Sequence, residues 1–394
     1  MSDQQWVGST SEEQILFGAL RDGNMDAYWA LLAGTYVLVP SALDDADASL
    51  AGRLDGDVGL LTVGDDRAVE LDVYTRGSVP AQPPRDGFFD QNMFAPLLTW
   101  LAEDEPRWTL VVNRGTPVEA RASLRDVGSW LRKHPEAVVG WQTLRARHDV
   151  RALAGGPLHG AVAVGLACGA HLSVMNAVPW NAPGIPYLNY LSDRQTMRDW
   201  WGIEDVQQWH ATLADLLDRE SMSTLDLVLW LRVQSAQQAG LAAAALDPGI
   251  ATRAIDEFAR SRGLPQEAYQ DLMSKANWIA EFEGWMRRDG VLPPEGMVST
   301  QAAWDLGRAA NLVRWGIAGG FCDPQQAEQL FKEIATQAAA AYGTWKEYDA
   351  AYVLGRLVLM GLQGDPEQVY QESLSVHRVL TGDGRSPMVN LALR

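Results

Sequence analysis

Hydrophobic positions in the first third of the chain follow two different periods. Residues 11–32 place apolar side chains at helical spacing, and the polar run 21–24 interrupts them, which predicts two short helices joined by a turn. Four other runs are rich in β-branched and aromatic residues and predict strands: 35–39, 58–63, 69–74 and 108–112. Pro40 is expected to end the first strand, and residues 94–102 are expected to form a helix. This mixture predicts an α+β domain over residues 1–135.

Strand signals fade after about residue 140, and apolar residues then recur every three or four positions. Eight segments show this helical spacing: 206–217, 224–246, 250–261, 266–287, 300–317, 324–342, 345–362 and 366–379. Asp323 before Pro324 is a typical N-cap followed by proline in the first helical turn. We therefore predict a larger, mostly α-helical domain over residues 155–394. Residues 136–154 would form a linker or a helix between the two domains.

The longest segment without Asp, Glu, Lys or Arg spans residues 152–192. Its apolar part, 161–170, is only half of the roughly 20 residues that a membrane-spanning helix needs. We expect this segment to be a buried, small-residue part of a soluble domain. The first residues are acidic where a secretory signal would be basic, and only Cys168 and Cys322 occur, which is typical of a reducing compartment. The sequence thus predicts a cytoplasmic protein with no membrane partner.

The balance of charges narrows the range of partners. Asp and Glu number 50 against 32 Lys and Arg, so the formal net charge is −18. Such a charge repels phosphate backbones and anionic lipid surfaces, which disfavours nucleic acid as a direct partner. It either keeps the protein soluble or attracts a basic partner. Residues 44–72, with nine acidic side chains, are either a solvated loop and hairpin or an acidic docking edge.

Common catalytic and metal-binding signatures are missing from the sequence. It has no phosphate-binding loop, no His-Glu-x-x-His helix, no Cys-x-x-Cys pair and no Gly-x-Ser-x-Gly turn. The six histidines are scattered, and no two of them have a metal-binding helical spacing: His134, His148, His159, His171, His210 and His377. We therefore predict no catalytic residue, no metal ligand and no cofactor.

Sixteen tryptophans are unusual, and eleven of them follow residue 140. Two predicted helices place tryptophan, tyrosine and arginine on one face each: Trp304, Arg308, Asn311 and Trp315 on the first, and Trp345, Tyr348, Tyr352 and Arg356 on the second. Asp305 is spaced to pair with Arg308, and Arg314 lies beside Trp315. These residues form a packed core, a protein-binding hot spot, or an anion or small-molecule pocket.

The same two segments resemble a bacterial family, domain of unknown function 1266. The family pattern is a Trp-Asp-x-x-Arg helix, an Arg-Trp-Gly turn and a Ser/Thr-Trp-x-x-Tyr helix that ends in Gly-Arg. The matching residues here are Trp304, Asp305, Gly307, Arg308, Asn311, Arg314, Trp315, Gly316, Trp345, Tyr348, Tyr352, Gly355 and Arg356. Further matching elements are Asn176–Asn181, the Trp-Gly-Ile element Trp201–Ile203, and Ser386-Pro387. The resemblance covers residues 155–394 and implies no particular activity.

The first domain is similar to the SseB-like N-terminal domain. The matching elements are Phe17–Leu20, Val37–Pro40, Leu71–Thr75 and Leu110–Gly115. Tyr74 stands where that family usually has Phe, and Asn113-Arg114-Gly115 lacks its usual Pro. This resemblance implies an accessory or immunity module near secretion and toxin systems.

Our leading hypothesis from the sequence is a non-enzymatic protein-binding module. More specifically, it is an immunity or accessory protein whose partner is another protein, such as a basic toxin or a secretion component. The alternative is an enzyme or small-ligand sensor with a pocket built from Trp, Arg and Asp in the helical domain. A third hypothesis is a scaffold with two interaction surfaces.

Overall fold

A computed structural model of the chain describes residues 10–65, 67–137, 148–218, 223–238 and 248–394. These residues fall into two units. The first comprises 10–156, Asn181–His210 and Val313–Glu328, and the second comprises Pro157–Trp180, Ala211–Leu312 and Gln329–Arg394. The predicted order, an α+β part followed by a larger and mostly helical part, is confirmed. The predicted domain limits stay a prediction, and residues 138–147 of the predicted linker lie outside the described residues.

The N-terminal part alternates short helices and strands. Its helices are α1 (Ser11–Arg21), α2 (Met25–Ala33), α3 (Leu43–Leu50), α4 (Phe94–Asp104) and α5 (Leu124–Lys133). Its strands are β1 (Tyr36–Ala42), β2 (Val63–Asp65), β3 (Ala68–Val73), β4 (Gly87–Met93), β5 (Thr109–Val112) and β6 (Ala120–Ser123). The predicted helix pair, with its break at 21–24, and the helix at 94–102 are therefore present.

The strands form two small sheets. β1 pairs with β4 in an antiparallel ladder, with Val39 opposite Asp90. The other sheet has the order β2-β3-β5-β6, in which β3 and β5 are parallel and the outer pairs are antiparallel. The buried Tyr28 connects α2 to the segment just before β6, because its hydroxyl donates to the carbonyl oxygen of Val118 at 2.8 Å.

Three strand predictions differ from the structure. β1 continues for two residues beyond Pro40, whose carbonyl still accepts the N–H of Leu61 at 2.9 Å. Most of the predicted strand 58–63 is not a strand, since β2 begins only at Val63. β4 and β6 were not predicted, and β4 carries Asp90, Gln91 and Asn92 in succession, which hides the alternation of buried and exposed positions.

Many carboxylates of the acidic segment 44–72 are engaged inside the first unit. Asp47 accepts the hydroxyl of Tyr190 at 2.8 Å, and Asp45 accepts the backbone N–H of Gly59 at 2.9 Å. Arg114 donates to both Glu70 and Asp72. These contacts stabilise local turns and strands, so only part of the segment's charge faces solvent.

The rest of the described chain is helical. Its helices are α6 (Gly160–Cys168), α7 (Ala170–Met175), α8 (Tyr190–Trp201), α9 (Val206–Leu217), α10 (Thr224–Gln238), α11 (Pro248–Arg262), α12 (Gln266–Arg288), α13 (Ala302–Ala318), α14 (Pro324–Ala341), α15 (Trp345–Met360), a 3-10 turn (Gly361–Gln363), α16 (Pro366–Gly382) and α17 (Pro387–Asn390). Each of the eight predicted helices is present. Residues 239–246 of the second lie outside the described residues.

The uncharged segment 152–192 contains the short helices α6 and α7. Ala163 to Ala170 are buried, as predicted for the segment, whereas Leu158 to Ala161 are exposed. Across the described ranges, no helix has the length and apolar character needed to cross a bilayer. Cys168 and Cys322 are free thiols, and burial raises the pKa of each to about 12.

Close packing in the second unit depends on a glycine in α6. A Cβ atom on Gly165 would lie 2.1 Å from the backbone oxygen of Phe331 in α14. Because a backbone oxygen cannot move aside as a flexible side chain can, Gly165→Ala should destabilise the fold by about 1–3 kcal/mol. Urea denaturation followed by circular dichroism measures this loss.

Gly284, four residues before the end of α12, supplies the matched control, since a Cβ there meets nothing within 4 Å. Gly284→Ala should raise the free energy of unfolding by about 0.5–1 kcal/mol through helix propensity. Equal effects of the two substitutions would contradict the packing described for Gly165.

Candidate functional site

Two glycines bring the motif helices α13 and α15 close together. A Cβ atom on Gly307 would lie 2.5 Å from Cε2 of Tyr352, and one on Gly355 would lie 2.6 Å from Cβ of Trp304. Neither position has room for a side chain. Each aromatic residue therefore packs directly on the glycine of the opposite helix.

Several predicted site residues are buried, and their polar atoms bond to backbone carbonyls. The indole N–H of Trp345 donates to the oxygen of Leu391 at 3.0 Å. The hydroxyl of Tyr348 lies 3.0 Å from the carbonyl oxygens of both Cys168 and Ala303. Such contacts are typical of aromatic residues in a packed core.

Asn311 and Arg356 link helices by their side chains. The amide of Asn311 in α13 donates to the carbonyl oxygen of Gly169, just before α7, at 3.4 Å, and to that of Gly307 in its own helix at 2.8 Å. Arg356, in α15, donates to Ser373 Oγ at 2.7 Å and to the carboxylate of Glu372 at 2.9 Å, both in α16. The predicted residues Asn311 and Arg356 thus stabilise the arrangement of neighbouring segments in the second unit.

Arg308 lies at the edge of this packed region. It forms an ion pair with Asp305 one helical turn earlier, as the spacing predicted. Its guanidinium carbon also lies 5.2 Å from the ring centroid of Trp304, within the range of a cation–π contact.

Two predicted site residues belong to the first unit. Arg314 is almost fully buried, and burial lowers its pKa to about 10. The ring of Trp315 packs edge-on against Trp201, with 6.4 Å between ring centroids. Of the α13 residues predicted to share one face, Trp304, Arg308 and Asn311 therefore belong to the second unit, and Trp315 belongs to the first.

A buried carboxylate missed by the sequence analysis lies at the centre of the second unit. Asp349 in α15 has no exposed surface, and each of its oxygens accepts a hydrogen bond from an imidazole. His171 Nε2 in α7 lies 2.6 Å from Oδ1, and His377 Nδ1 in α16 contacts Oδ2. The histidines precede and follow Asp349 by 178 and 28 residues, so no local spacing could reveal the group.

Burial alone would raise the pKa of Asp349, because desolvation penalises the charged carboxylate. The hydrogen bonds from His171 and His377, together with their charges, act in the opposite direction and are stronger in sum. They hold the pKa of Asp349 well below its ordinary value. Asp349 is therefore ionised in the folded protein over the physiological pH range.

Aromatic contacts extend from this carboxylate to the motif. The ring of His171 stacks on Tyr352 with 4.1 Å between centroids, and Tyr352 packs edge-on against Trp304 at 5.2 Å. We call His171, His377, Asp349, Tyr352, Trp304 and Arg308 the polar–aromatic cluster. Its members come from four helices of the second unit.

The indole Nε1 of Trp304 and the hydroxyl oxygen of Tyr352 have no hydrogen-bond partner within the described ranges, although every other member of the cluster makes at least one side-chain hydrogen bond. Trp304 is 6% exposed and Tyr352 is 0% exposed, so bulk water does not reach these atoms freely. Burial raises the pKa of Tyr352 well above its ordinary value, which keeps its hydroxyl protonated.

The chemistry available to the cluster is limited by its own contacts. Both oxygens of Asp349 are already bonded to imidazoles, so this carboxylate cannot also serve a substrate as a base. Among the described residues, no group of three or more His, Cys, Asp or Glu side chains could hold a metal ion. Most motif residues are too deeply buried for a protein partner to reach them.

An exposed tryptophan that the sequence analysis did not single out lies in the first unit. Trp200, in the last turn of α8, is 76% exposed. Gly202, with a φ of 66°, ends this helix, and its N–H bonds to the oxygen of Arg198 at 3.0 Å. Met197 and Ile203 on either side are buried, which anchors the backbone that carries Trp200.

Comparison with known proteins identifies the family of the helical part. The model of the family described as "Protein of unknown function (DUF1266)" matches residues 196–393, half of the chain. The chain belongs to this family, and the predicted resemblance is confirmed for that range. The SseB-like resemblance of the first domain stays a prediction. Neither the curated proteins nor the solved structures gave a match.

Replacing Asp349 tests whether its ionised carboxylate stabilises the fold through its hydrogen bonds to His171 and His377. Asp349→Asn keeps the shape but removes the carboxylate, so it should lower the free energy of unfolding by about 3–5 kcal/mol at neutral pH. Because the folded-state pKa is depressed, this stabilisation is present above the unfolded pKa of about 4 and is lost as pH falls toward the folded value. Urea denaturation between pH 7 and pH 3 should therefore show the two proteins converging below about pH 4.

The surface pair of Asp271 with Lys275 supplies a control of the same residue type. Asp271→Asn should change the free energy of unfolding by no more than about 0.5 kcal/mol. An equally small loss of unfolding free energy for Asp349→Asn, or a loss that does not change with pH, would show that Asp349 is not an ionised carboxylate that stabilises the fold.

The tryptophans of the second unit allow a second comparison. Trp304→Ala should cost about 3–5 kcal/mol of stability because it empties a buried site. Trp230→Ala, at a position that is 44% exposed in α10, should cost far less. Thermal and urea unfolding measure both, and similar losses would show that Trp304 does not contribute to the core as described.

Proposed function

We propose that this member of the DUF1266 family is a non-enzymatic protein-binding module whose docking surface is centred on Trp200. The single observation that carries the proposal is the exposure of that tryptophan, 76% in the last turn of a helix. Tryptophan is among the residues most enriched at energetically dominant contact positions. The buried motif residues are poor candidates for the same role.

The surroundings of Trp200 favour a contact surface. Val206, six residues later, is also exposed, at 42%. Each exposed apolar side chain contributes favourable free energy when a partner removes it from water. Because Met197 and Ile203 anchor the backbone, Trp200 is presented with little conformational freedom to lose on binding.

Charge favours a basic partner. Glu204 and Asp205, four and five residues after Trp200 in the chain, are exposed, whereas Asp199 is already paired with Arg198 at 3.0 Å. The whole chain carries a formal charge of −18. Complementary charge accelerates association and disfavours acidic competitors more than it increases final affinity.

The finer proposal concerns the biological setting. The SseB-like resemblance of residues 1–135 supports an accessory or immunity role, in which the basic partner is a toxin or a secretion component. An immunity protein of this kind binds its toxin and prevents its action. Deleting the gene should then sensitise cells to the neighbouring toxin.

A pair of tryptophan variants tests the docking surface. Full-length tagged protein purified from its native host should retain a stoichiometric, basic protein. Trp200→Ala should weaken that complex by roughly 30-fold or more, the effect of losing a contact worth at least about 2 kcal/mol. Trp100→Ala, at a 49% exposed position in α4, should leave it unchanged. Affinity capture with quantitative mass spectrometry, followed by binding kinetics at several salt concentrations, measures both effects.

Equal retention by the two variants, or an acidic partner, would contradict the proposed surface. For the immunity role, the wild-type gene and the Trp100→Ala variant should protect a deletion strain, whereas Trp200→Ala should not. Normal survival of the deletion strain beside an intact, expressed toxin would refute that role.

A further inference from the structure

We propose that the second unit binds a small oxyanion at Trp304 and Tyr352. The proposed ligand is a carboxylate or phosphate group that accepts hydrogen bonds from the indole N–H of Trp304 and the hydroxyl of Tyr352. Its site lies inside the polar–aromatic cluster and is independent of the docking surface around Trp200.

Two buried hydrogen-bond donors of the cluster are unsatisfied among the described residues. Trp304 Nε1 and the Tyr352 hydroxyl have no hydrogen-bond partner in the described part of the chain, yet both are buried. Neighbouring aromatic residues on the same face satisfy their polar atoms, as Trp345 does with Leu391 and Tyr348 with Cys168. Since folded proteins rarely leave buried donors unpaired, two such donors in one contact pair indicate a missing acceptor.

The two donors belong to aromatic residues that contact each other. The rings of Trp304 and Tyr352 are in edge contact, with centroids 5.2 Å apart. Arg308 lies over Trp304, and the charges of Arg308 and Arg356 both act on the Tyr352 hydroxyl. The two rings that carry the donors are therefore in contact, and two guanidinium groups act on this pair of residues.

The charges near the two donors favour an anionic ligand. Positive potential from Arg308 and Arg356 favours a negatively charged acceptor. Their own partners, Asp305 and Glu372, oppose it, but the Glu372 side chain is 40% exposed and is partly screened by water. Asp349, the other carboxylate near Tyr352, has both oxygens engaged by imidazoles.

Close packing around the two aromatic residues favours a small ligand. At Gly307 and Gly355 the helices leave no room for an added carbon atom, because Tyr352 and Trp304 lie against these positions. Both aromatic residues are also almost fully buried. We therefore expect an inorganic ion or a small carboxylate rather than a nucleotide or a peptide.

Thermal unfolding of the full chain with inorganic phosphate or acetate, against chloride at equal ionic strength, tests the proposal. At least one oxyanion should raise the melting temperature, because a ligand that binds only the folded state stabilises it by mass action. Phosphate alone would indicate a phosphoryl ligand, and acetate alone would indicate a carboxylate ligand. No shift with either ion would overturn the proposal.

Tyr352→Phe removes only the unsatisfied hydroxyl, and Tyr348→Phe removes a satisfied one at equal burial. Calorimetric binding should be at least about tenfold weaker for Tyr352→Phe and unchanged for Tyr348→Phe. Without ligand, Tyr352→Phe should melt no lower than the wild type, since it loses no hydrogen bond. Equal binding by Tyr352→Phe would mean an adventitious ion only. A lower melting temperature for ligand-free Tyr352→Phe would mean that the hydroxyl already has an acceptor, and either result would refute the site.

Discussion

The arrangement of α7, α15 and α16 in the second unit depends on a buried ion, the carboxylate of Asp349. Placing a charge where water cannot reach it is costly unless hydrogen bonds and opposite charge compensate. His171 and His377 provide that compensation, and in doing so they connect α7, α15 and α16. The position of His171 then determines where the ring of Tyr352 can stack, and Tyr352 in turn supports Trp304.

The residues shared with the family pattern serve mainly to build this interior. Gly307 and Gly355 allow two helices to touch, while Trp345 and Tyr348 bond to backbone carbonyls. Trp304 and Tyr352 depart from this rule, because the single polar side-chain atom of each has no partner in the described ranges. That departure distinguishes a candidate ligand site from an ordinary packed core.

Much of the helical fold could be predicted from sequence, since apolar spacing and caps such as Asp323-Pro324 are local signals. The strand β4 escaped prediction because three consecutive polar residues mask its alternation. The Asp349 group escaped for a different reason, because its histidines are far apart along the chain. Trp200 and Trp201 are adjacent in sequence, and only the fold distinguishes the exposed ring from the partly buried one.

The charge state of Asp349 is the most direct measure of this account. Carbon-13 NMR of aspartate side chains, with Asp349 assigned from the spectrum of Asp349→Asn, follows each carboxyl group as pH is lowered. We predict that the Asp349 signal stays at its ionised position while exposed aspartates titrate near pH 4. Titration of Asp349 together with the exposed aspartates, or at higher pH, would contradict the claim that an ionised Asp349 holds α7, α15 and α16 together.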